Sequence, residues 1–147
     1  MKTDVGADEL YDWGACGEVE EVLDNWPDRR IPLTHEAVDE LEELGHDPVY
    51  WMGHLARPEA VWARYSTIAR HELAAELPRH PADSDQARRI AGLHGYLKPP
   101  WRTAANDSAR ALTIRLSEIW GDYRLATHWM FDILLRALAE GGGDGDR

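Results

Sequence analysis

The spacing of apolar residues constrains this chain more than any other feature, because the spacing is helical along nearly the whole length. Between positions 17 and 26, apolar side chains recur at intervals of three and four residues, as at Val19, Val22, Leu23 and Trp26. Prolines, glycines and small polar residues separate such segments, as helix start and stop signals do. The pattern predicts helices over 17–26, 35–44, 48–55, about 57–77, 85–97 and about 107–140.

Local signals at the segment ends agree with this prediction. Thr34 and Ser84 are suitable N-caps, and Asp47 followed by Pro48 is typical of a cap and the first helical residue. Gly121 is a candidate division point in the last long segment. No stretch alternates as a strand does. We therefore expect an all-α domain, a compact bundle of about six helices without a sheet, over 1–140, and a disordered, glycine-rich tail at 141–147.

Seven tryptophans and one phenylalanine predict a core rich in tryptophan. Four tryptophans lie near apolar helical stripes and are expected to pack inside: Trp26, Trp62, Trp120 and Trp129. Trp51 and Trp101 closely follow prolines or turn signals, so we expect them to be partly exposed. Exposed tryptophan is a frequent anchor of protein interfaces, which makes these two candidate partner-binding residues.

The formal net charge of −11 is concentrated at one end of the chain. Residues 1–47 hold 15 acidic side chains against Lys2, Arg29 and Arg30, whereas residues 48–147 hold 12 acidic and 13 basic side chains. Fourteen of the 16 basic residues are arginine, whose planar donors suit carboxylate and phosphate. The chain therefore divides into an acidic third, 1–47, and an Arg-rich part, 48–140. The charge of the Arg-rich part is compatible with contact to RNA or DNA.

The acidic third predicts a surface for a basic protein partner, because complementary charge speeds association and suppresses wrong partners. The candidate partner-binding residues are the carboxylates of the first two helices: Glu20, Glu21, Asp24, Glu36, Asp39, Glu40 and Glu43. Two other interpretations remain open. The surface can serve only solubility, or it can dock onto the Arg-rich helices of the same chain or of a second copy in a homodimer.

Several kinds of catalytic site are missing from the sequence. There is no phosphate-binding G-x-x-x-x-G-K-[ST] loop, no G-x-S-x-G nucleophile turn and no H-E-x-x-H metal motif. His128 and Asp132 share a helical face at a spacing of four residues, which favours a structural hydrogen bond over a metal site. We therefore expect no metal site and no cofactor.

One short motif does point to catalysis. Arg89, His94 and Tyr96 form the pattern R-x4-H-x-Y, which resembles the short motif of HEPN-type ribonucleases over eight residues. The resemblance implies a dimeric helical bundle that cleaves RNA without a metal ion. It further implies that His94 acts as acid or base, that Arg89 stabilises charge on the phosphate and that Tyr96 completes the motif.

Weighing these features, we expect a non-enzymatic interaction protein more than an enzyme. It would be an acidic-faced inhibitor or immunity-type protein, or a small helical subunit of a larger complex, including a nucleoprotein complex. The alternative is a HEPN-like ribonuclease. The acidic first ten residues do not resemble a secretion signal, no apolar run approaches the length of a membrane span, and there is a single cysteine. Together these predict a cytoplasmic protein.

Overall fold

The computed structural model describes residues 4–12, 19–56, 58–97 and 105–145. Over these ranges the chain forms eight α-helices and one pair of very short strands. In chain order they are β1 (Asp4–Val5), α1 (Ala7–Asp12), α2 (Val19–Leu23), β2 (Ile31–Pro32), α3 (His35–Glu43), α4 (Pro48–Gly53), α5 (Glu59–Glu76), α6 (Asp85–Gly92), α7 (Ala105–Trp120) and α8 (Tyr123–Gly145). The prediction of an all-α fold is confirmed, although the helices are more numerous than six.

The predicted caps explain where several helices begin. The hydroxyl of Thr34 accepts a hydrogen bond from the backbone of Ala37, and that of Ser84 does the same from Ala87. Asp47 accepts from the backbone of Val49 at the start of α4, where Pro48 is the first helical residue. Each bond satisfies a backbone N–H that the first helical turn leaves without a partner.

Glycine and local helix type set two further boundaries. Gly121 has a positive φ of 70°, a conformation that glycine adopts without strain, and it separates α7 from α8. The segment predicted as one helix over 85–97 changes type, because α6 ends at Gly92 and a 3-10 helix follows over Leu93–Leu97. The last helix continues to Gly145 and so overlaps the segment 141–147 predicted as a tail. The single domain over 1–140 stays a prediction.

The expectation that the fold has no sheet is wrong at four residues. β1 and β2 pair antiparallel, with Asp4 opposite Pro32 and Val5 opposite Ile31. Val5 and Ile31 are both buried, so the pair places two apolar side chains in the core and ties the start of the chain to the segment before α3. Strands of two residues are too short to produce a recognisable alternation in sequence.

The core lies where α8 packs against α5 and α7, while α4 packs against α7. Its largest fully buried side chains are Tyr65, Phe131, Met52 and a set of leucines and isoleucines. Trp26 and Trp62 are buried as expected, whereas Trp120 and Trp129 are only half-buried at its edge. Tryptophan therefore contributes to the core without dominating it.

The expectation that Trp51 is partly exposed is wrong. Its side chain is 6% exposed, and every other residue of α4 except Tyr50 is buried as well. A helix this thoroughly enclosed leaves no open position at Trp51, so this residue is not an exposed anchor. Trp101 lies outside the described residues. None of the described helices combines the length and the apolar character needed to span a bilayer.

Candidate functional site

The outward side of α3 carries three exposed carboxylates without basic partners. Within the described part of the chain, none of their side chains forms an ion pair or a hydrogen bond. These residues are Glu36, Glu40 and Glu43, and we refer to them as the α3 acidic face. The last turn of α3 contains no basic residue, although the negative end of a helix dipole favours a cation there. The exposed Leu44 follows directly after this face.

Asp39 lies on the same helix but is fully engaged. Its carboxylate accepts hydrogen bonds from Nε and Nη2 of Arg124 at 3.0 and 2.7 Å, and it lies 2.8 Å from Nε2 of His128. Both partners belong to α8. Hydrogen bonds from Arg124 and then from His128 lower the pKa of Asp39 to about 2, because they favour its charged form.

Asp47, at the end of the acidic third, is engaged in a similar way. Its carboxylate lies 3.1 Å from Nε of Arg110 and accepts a hydrogen bond of 3.0 Å from the hydroxyl of Tyr123. Burial and then the neighbouring carboxylate raise the pKa of Tyr123, since both disfavour the phenolate. At Asp39 and Asp47, therefore, the acidic third docks onto Arg-rich helices of its own chain.

The acidic residues before α3 use the two arginines of their own segment. Arg29 forms ion pairs with Glu20 and with Asp24, the latter at 2.7 Å. Arg30 contacts Asp4 at 2.7 Å and Glu9 at 2.9 Å, and these hydrogen bonds raise its pKa. Of the predicted partner-binding carboxylates, Glu20, Asp24 and Asp39 are thus already paired. Glu21, Glu36, Glu40 and Glu43 are exposed and form no ion pair among the described residues.

Two histidine–aspartate pairs cross between α3 and α8. His35 and Asp39 are four residues apart on α3, and His128 and Asp132 have the same spacing on α8. Each histidine bonds the aspartate of the other helix: His35 lies 2.6 Å from Asp132, and His128 lies 2.8 Å from Asp39. The predicted hydrogen bond within the His128–Asp132 pair is therefore replaced by bonds between helices.

The R-x4-H-x-Y motif lies across the junction of α6 and the 3-10 helix that follows. Arg89 and Tyr96 line a surface groove of about 360 Å³ together with Arg115 of α7, while His94 is not among the residues that line it. Nε of Arg115 donates a hydrogen bond of 3.2 Å to the hydroxyl of Tyr96, and Glu118 also contacts Arg115 at 3.2 Å. These two hydrogen bonds raise the pKa of Arg115. The groove therefore unites two arginines and a tyrosine, but not the proposed acid or base.

A second, larger cleft of about 470 Å³ lies between α5, the end of α7 and α8. Trp120 and Trp129 line it and meet edge to face with ring centroids 6.2 Å apart. The indole N–H of Trp120 donates to Glu76 over 3.2 Å, which fixes the orientation of that ring. His128 and Asp132 also line this cleft. Among the described residues, no three side chains of His, Cys, Asp or Glu are placed to hold a metal ion.

Sequence reasoning missed His35, Arg115 and Arg124 as functional candidates. His35 could have been found, because its spacing to Asp39 repeats the spacing from His128 to Asp132. Arg124 carried no signal, because Asp39 is 85 residues away in sequence. Arg115 has a local partner in Glu118, but its contact with the predicted motif is through Tyr96, 19 residues away. Comparison with protein-family models, with curated proteins and with solved structures found no match.

Proposed function

We propose that this chain is a non-enzymatic interaction module that binds a basic protein through the α3 acidic face. The observation that carries the proposal is the unequal pairing of carboxylates on one helix. Asp39 is bonded by Arg124 and His128, whereas Glu36, Glu40 and Glu43 have no basic partner among the described residues. These three carboxylates remain available for cations of another molecule.

The α3 acidic face has a cost in stability, which supports a role other than folding. Glu36 and Glu40 are like charges one turn apart, and such pairs destabilise a helix by about 0.2–0.5 kcal/mol. Glu43 lies at the negative end of the helix dipole, where a carboxylate is again unfavourable. A helix selected only for stability would carry lysine at some of these positions.

The attachment of α3 to the rest of the domain also suits a docking surface. The N-terminal turn is capped by Thr34, and the middle of the helix is held to α8 through Asp39. A helix fixed before binding loses little conformational freedom when a partner arrives. The exposed Leu44, which is 44% accessible, adds an apolar contact beside the charges.

The test is a comparison of partner affinity between charge-matched variants. A triple variant, Glu36→Gln, Glu40→Gln and Glu43→Gln, removes three charges from α3. A control triple variant, Glu59→Gln, Asp83→Asn and Asp107→Asn, removes three exposed charges from other helices and loops. The partner is first isolated by affinity purification from the native host. Its dissociation constant is then measured for each form over a series of salt concentrations.

We expect the α3 variant to bind about 3- to 150-fold more weakly and to lose much of its salt dependence, since each surface ion pair contributes about 0.2–1 kcal/mol. The control variant should bind as the wild type does. Equal affinities for both variants would show that the α3 acidic face is not the interface. Equal losses would show that only the net charge matters.

The groove formed by Arg89, Tyr96 and Arg115 favours a second candidate, a HEPN-like ribonuclease. Arg89 forms no ion pair among the described residues, so its guanidinium is available for a phosphate. The test is incubation of the protein with RNA in EDTA. Cleavage by the wild type that is lost in Arg89→Ala and His94→Ala, and kept in Arg88→Ala, supports this function. No cleavage, or equal cleavage by all forms, removes it.

A further inference from the structure

Four side chains form one continuous hydrogen-bonded chain between α3 and α8, in the order Asp39, His128, His35 and Asp132. The outer contacts run from Nε2 of His128 to Asp39 over 2.8 Å and from Nε2 of His35 to Asp132 over 2.6 Å. The central contact joins Nδ1 of His35 to Nδ1 of His128. Every ring nitrogen of both histidines therefore has a hydrogen-bond partner among these four side chains, and none is left to act on a substrate.

The geometry of the two rings identifies the central contact as an in-plane hydrogen bond. The rings are within 19° of parallel, and their centroids are 4.7 Å apart. Rings stacked face to face at that separation could not bring both Nδ1 atoms within hydrogen-bonding distance. The rings therefore meet edge to edge, with one nitrogen directed at the other. Phe131 closes one side with its ring centroid 5.1 Å from that of His35.

We propose that His35 and His128 together hold three nitrogen-bound protons and thus share one positive charge. We refer to Asp39, His128, His35 and Asp132 as the clasp, and all three of its hydrogen bonds form only in this protonation state. A carboxylate is an acceptor, so each Nε2 requires a proton. The Nδ1–Nδ1 contact requires one proton, because one nitrogen must donate and the other must accept. With four protons the two Nδ1 donors oppose each other. With two protons, one of the three bonds is lost.

The charges around the pair are compatible with a single positive charge. Asp39 and Asp132 lie at its two ends, and Arg124 offsets one of them through its bonds to Asp39. The cleft beside His128 presents charged groups from α5 and the turn after it, which are Glu72, Glu76 and Arg79. Arg136 offsets Glu72 through an ion pair of 2.7 Å, and Glu42 adds one negative charge beside Arg124. The charges near the pair therefore sum to a small negative value before the shared proton is counted.

The proton count gives the clasp a characteristic pH dependence. In an unfolded chain imidazole loses its proton near pH ~6.5, so the two histidines together carry four protons in acid, three on average near that pH and two in alkali. In acid the unfolded chain binds one proton more than the clasp, so the clasp gains strength as pH rises. In alkali the unfolded chain binds one proton fewer, so the clasp loses strength as pH rises. Stabilisation by the clasp is therefore greatest near pH ~6.5.

The first test isolates this contribution by difference. Unfolding by urea is measured between about pH 5 and pH 8 for the wild type and for a His35→Gln/His128→Gln variant. The control variant, His71→Gln/His94→Gln, also removes two histidines but leaves the clasp intact. We expect the ratio of folding constants, wild type over clasp variant, to peak near pH ~6.5 and to fall on both sides by up to tenfold per pH unit. A ratio that is flat or changes in one direction only would overturn the proposal.

The second test needs no variant and so remains decisive if the clasp variant does not fold. Nitrogen-15 NMR of the labelled wild-type chain near pH 6.5 reports the protonation of each ring nitrogen. We expect one of the two rings to be doubly protonated, or the two rings to exchange that state. Two neutral or two fully protonated rings would overturn the proposal. So would ring signals that change in EDTA and return with zinc, because they would place a metal ion between the nitrogens. Neither test involves a partner, so the clasp can fail independently of the docking function.

Discussion

The two sides of α3 treat their carboxylates in opposite ways. On the side that faces α8, Asp39 accepts three hydrogen bonds, and His35 reaches Asp132 across the helix pair. On the outward side, Glu36, Glu40 and Glu43 form no such bond within the described part of the chain. The acidic residues of this helix therefore fall into two groups. Asp39 attaches α3 to the rest of the fold, whereas the outward carboxylates do not. The outward charges are left without an internal explanation, and the docking proposal supplies one.

The comparison extends to the rest of the acidic third. Arg29 and Arg30 neutralise four carboxylates before α3, while Arg110 and Arg124 reach back from α7 and α8 to Asp47 and Asp39. The carboxylates of the α3 acidic face, like Glu21, are thus among those that no arginine of the described residues neutralises. Three changes can break or sharpen this contrast between the two sides.

The largest effect is expected from removing the carboxylate on the inward side. Asp39→Ala should lower the free energy of unfolding by about 1–2 kcal/mol, because hydrogen bonds to charged groups are lost and His128 keeps no partner at Nε2. The ion pair between Asp39 and Arg124 is partly exposed, so the expected loss of stability is smaller than for a buried pair. Urea unfolding at pH 7 measures it. Glu40→Ala on the outward side of the same helix is the control and should change the free energy of unfolding by less than about 0.5 kcal/mol. An equal loss in the control would contradict the distinction between the two sides of α3.

A smaller effect is expected from acid. The pKa of Asp39 is lowered from 3.8 to about 2, so its carboxylate stabilises the folded state fully above about pH 4 and loses that contribution as pH falls toward 2. We expect the stability difference between the wild type and Asp39→Asn to shrink by about 1 kcal/mol over this range, a discounted value because the side chain is 32% exposed. Urea titrations at pH 5, 4, 3 and 2 follow the change. A difference that is constant with pH would contradict the pairing.

The smallest effect is expected on the outward side. Glu36→Gln, Glu40→Gln and Glu43→Gln together should leave stability unchanged or raise it by about 0.5 kcal/mol, because repulsion between them is relieved. Glu36 is in the first turn, where a carboxylate is favourable, and this offsets part of the gain. Thermal unfolding at low and high salt measures the change. A clear destabilisation would mean that these carboxylates serve the fold, which would weaken the docking proposal.

The parts of the fold that could be predicted depend on neighbours in sequence. Thr34, Asp47 and Ser84 cap helices as expected, because a cap bonds a backbone group two or three residues away. Gly121 divides two helices because its own backbone conformation requires it. Strands β1 and β2 were missed because two residues per strand leave no periodic signal, and their partners lie far apart in the chain.

The candidate site was less predictable, for the same physical reason. The partner of Asp39 is 85 residues away, and no local rule selects Arg124 among 14 arginines. Burial of Trp51 depends on how α4 is enclosed by other helices, which its flanking proline and turn signals do not reveal. The repeated spacing in His35–Asp39 and His128–Asp132 was visible in the sequence. Its meaning emerges only when the two helices are placed side by side.

The crossed contacts also determine how far α3 can slide along α8. His35 pairs with Asp132 and Asp39 with His128, so the two helices run in opposite directions at this contact. A slip of one turn in one direction would bring Asp39 opposite Asp132 and His35 opposite Arg136, which are repulsive neighbours when the imidazole is charged. A slip in the other direction would leave Asp132 without a partner on α3. The four residues therefore favour a single register between α3, which carries the acidic face, and α8.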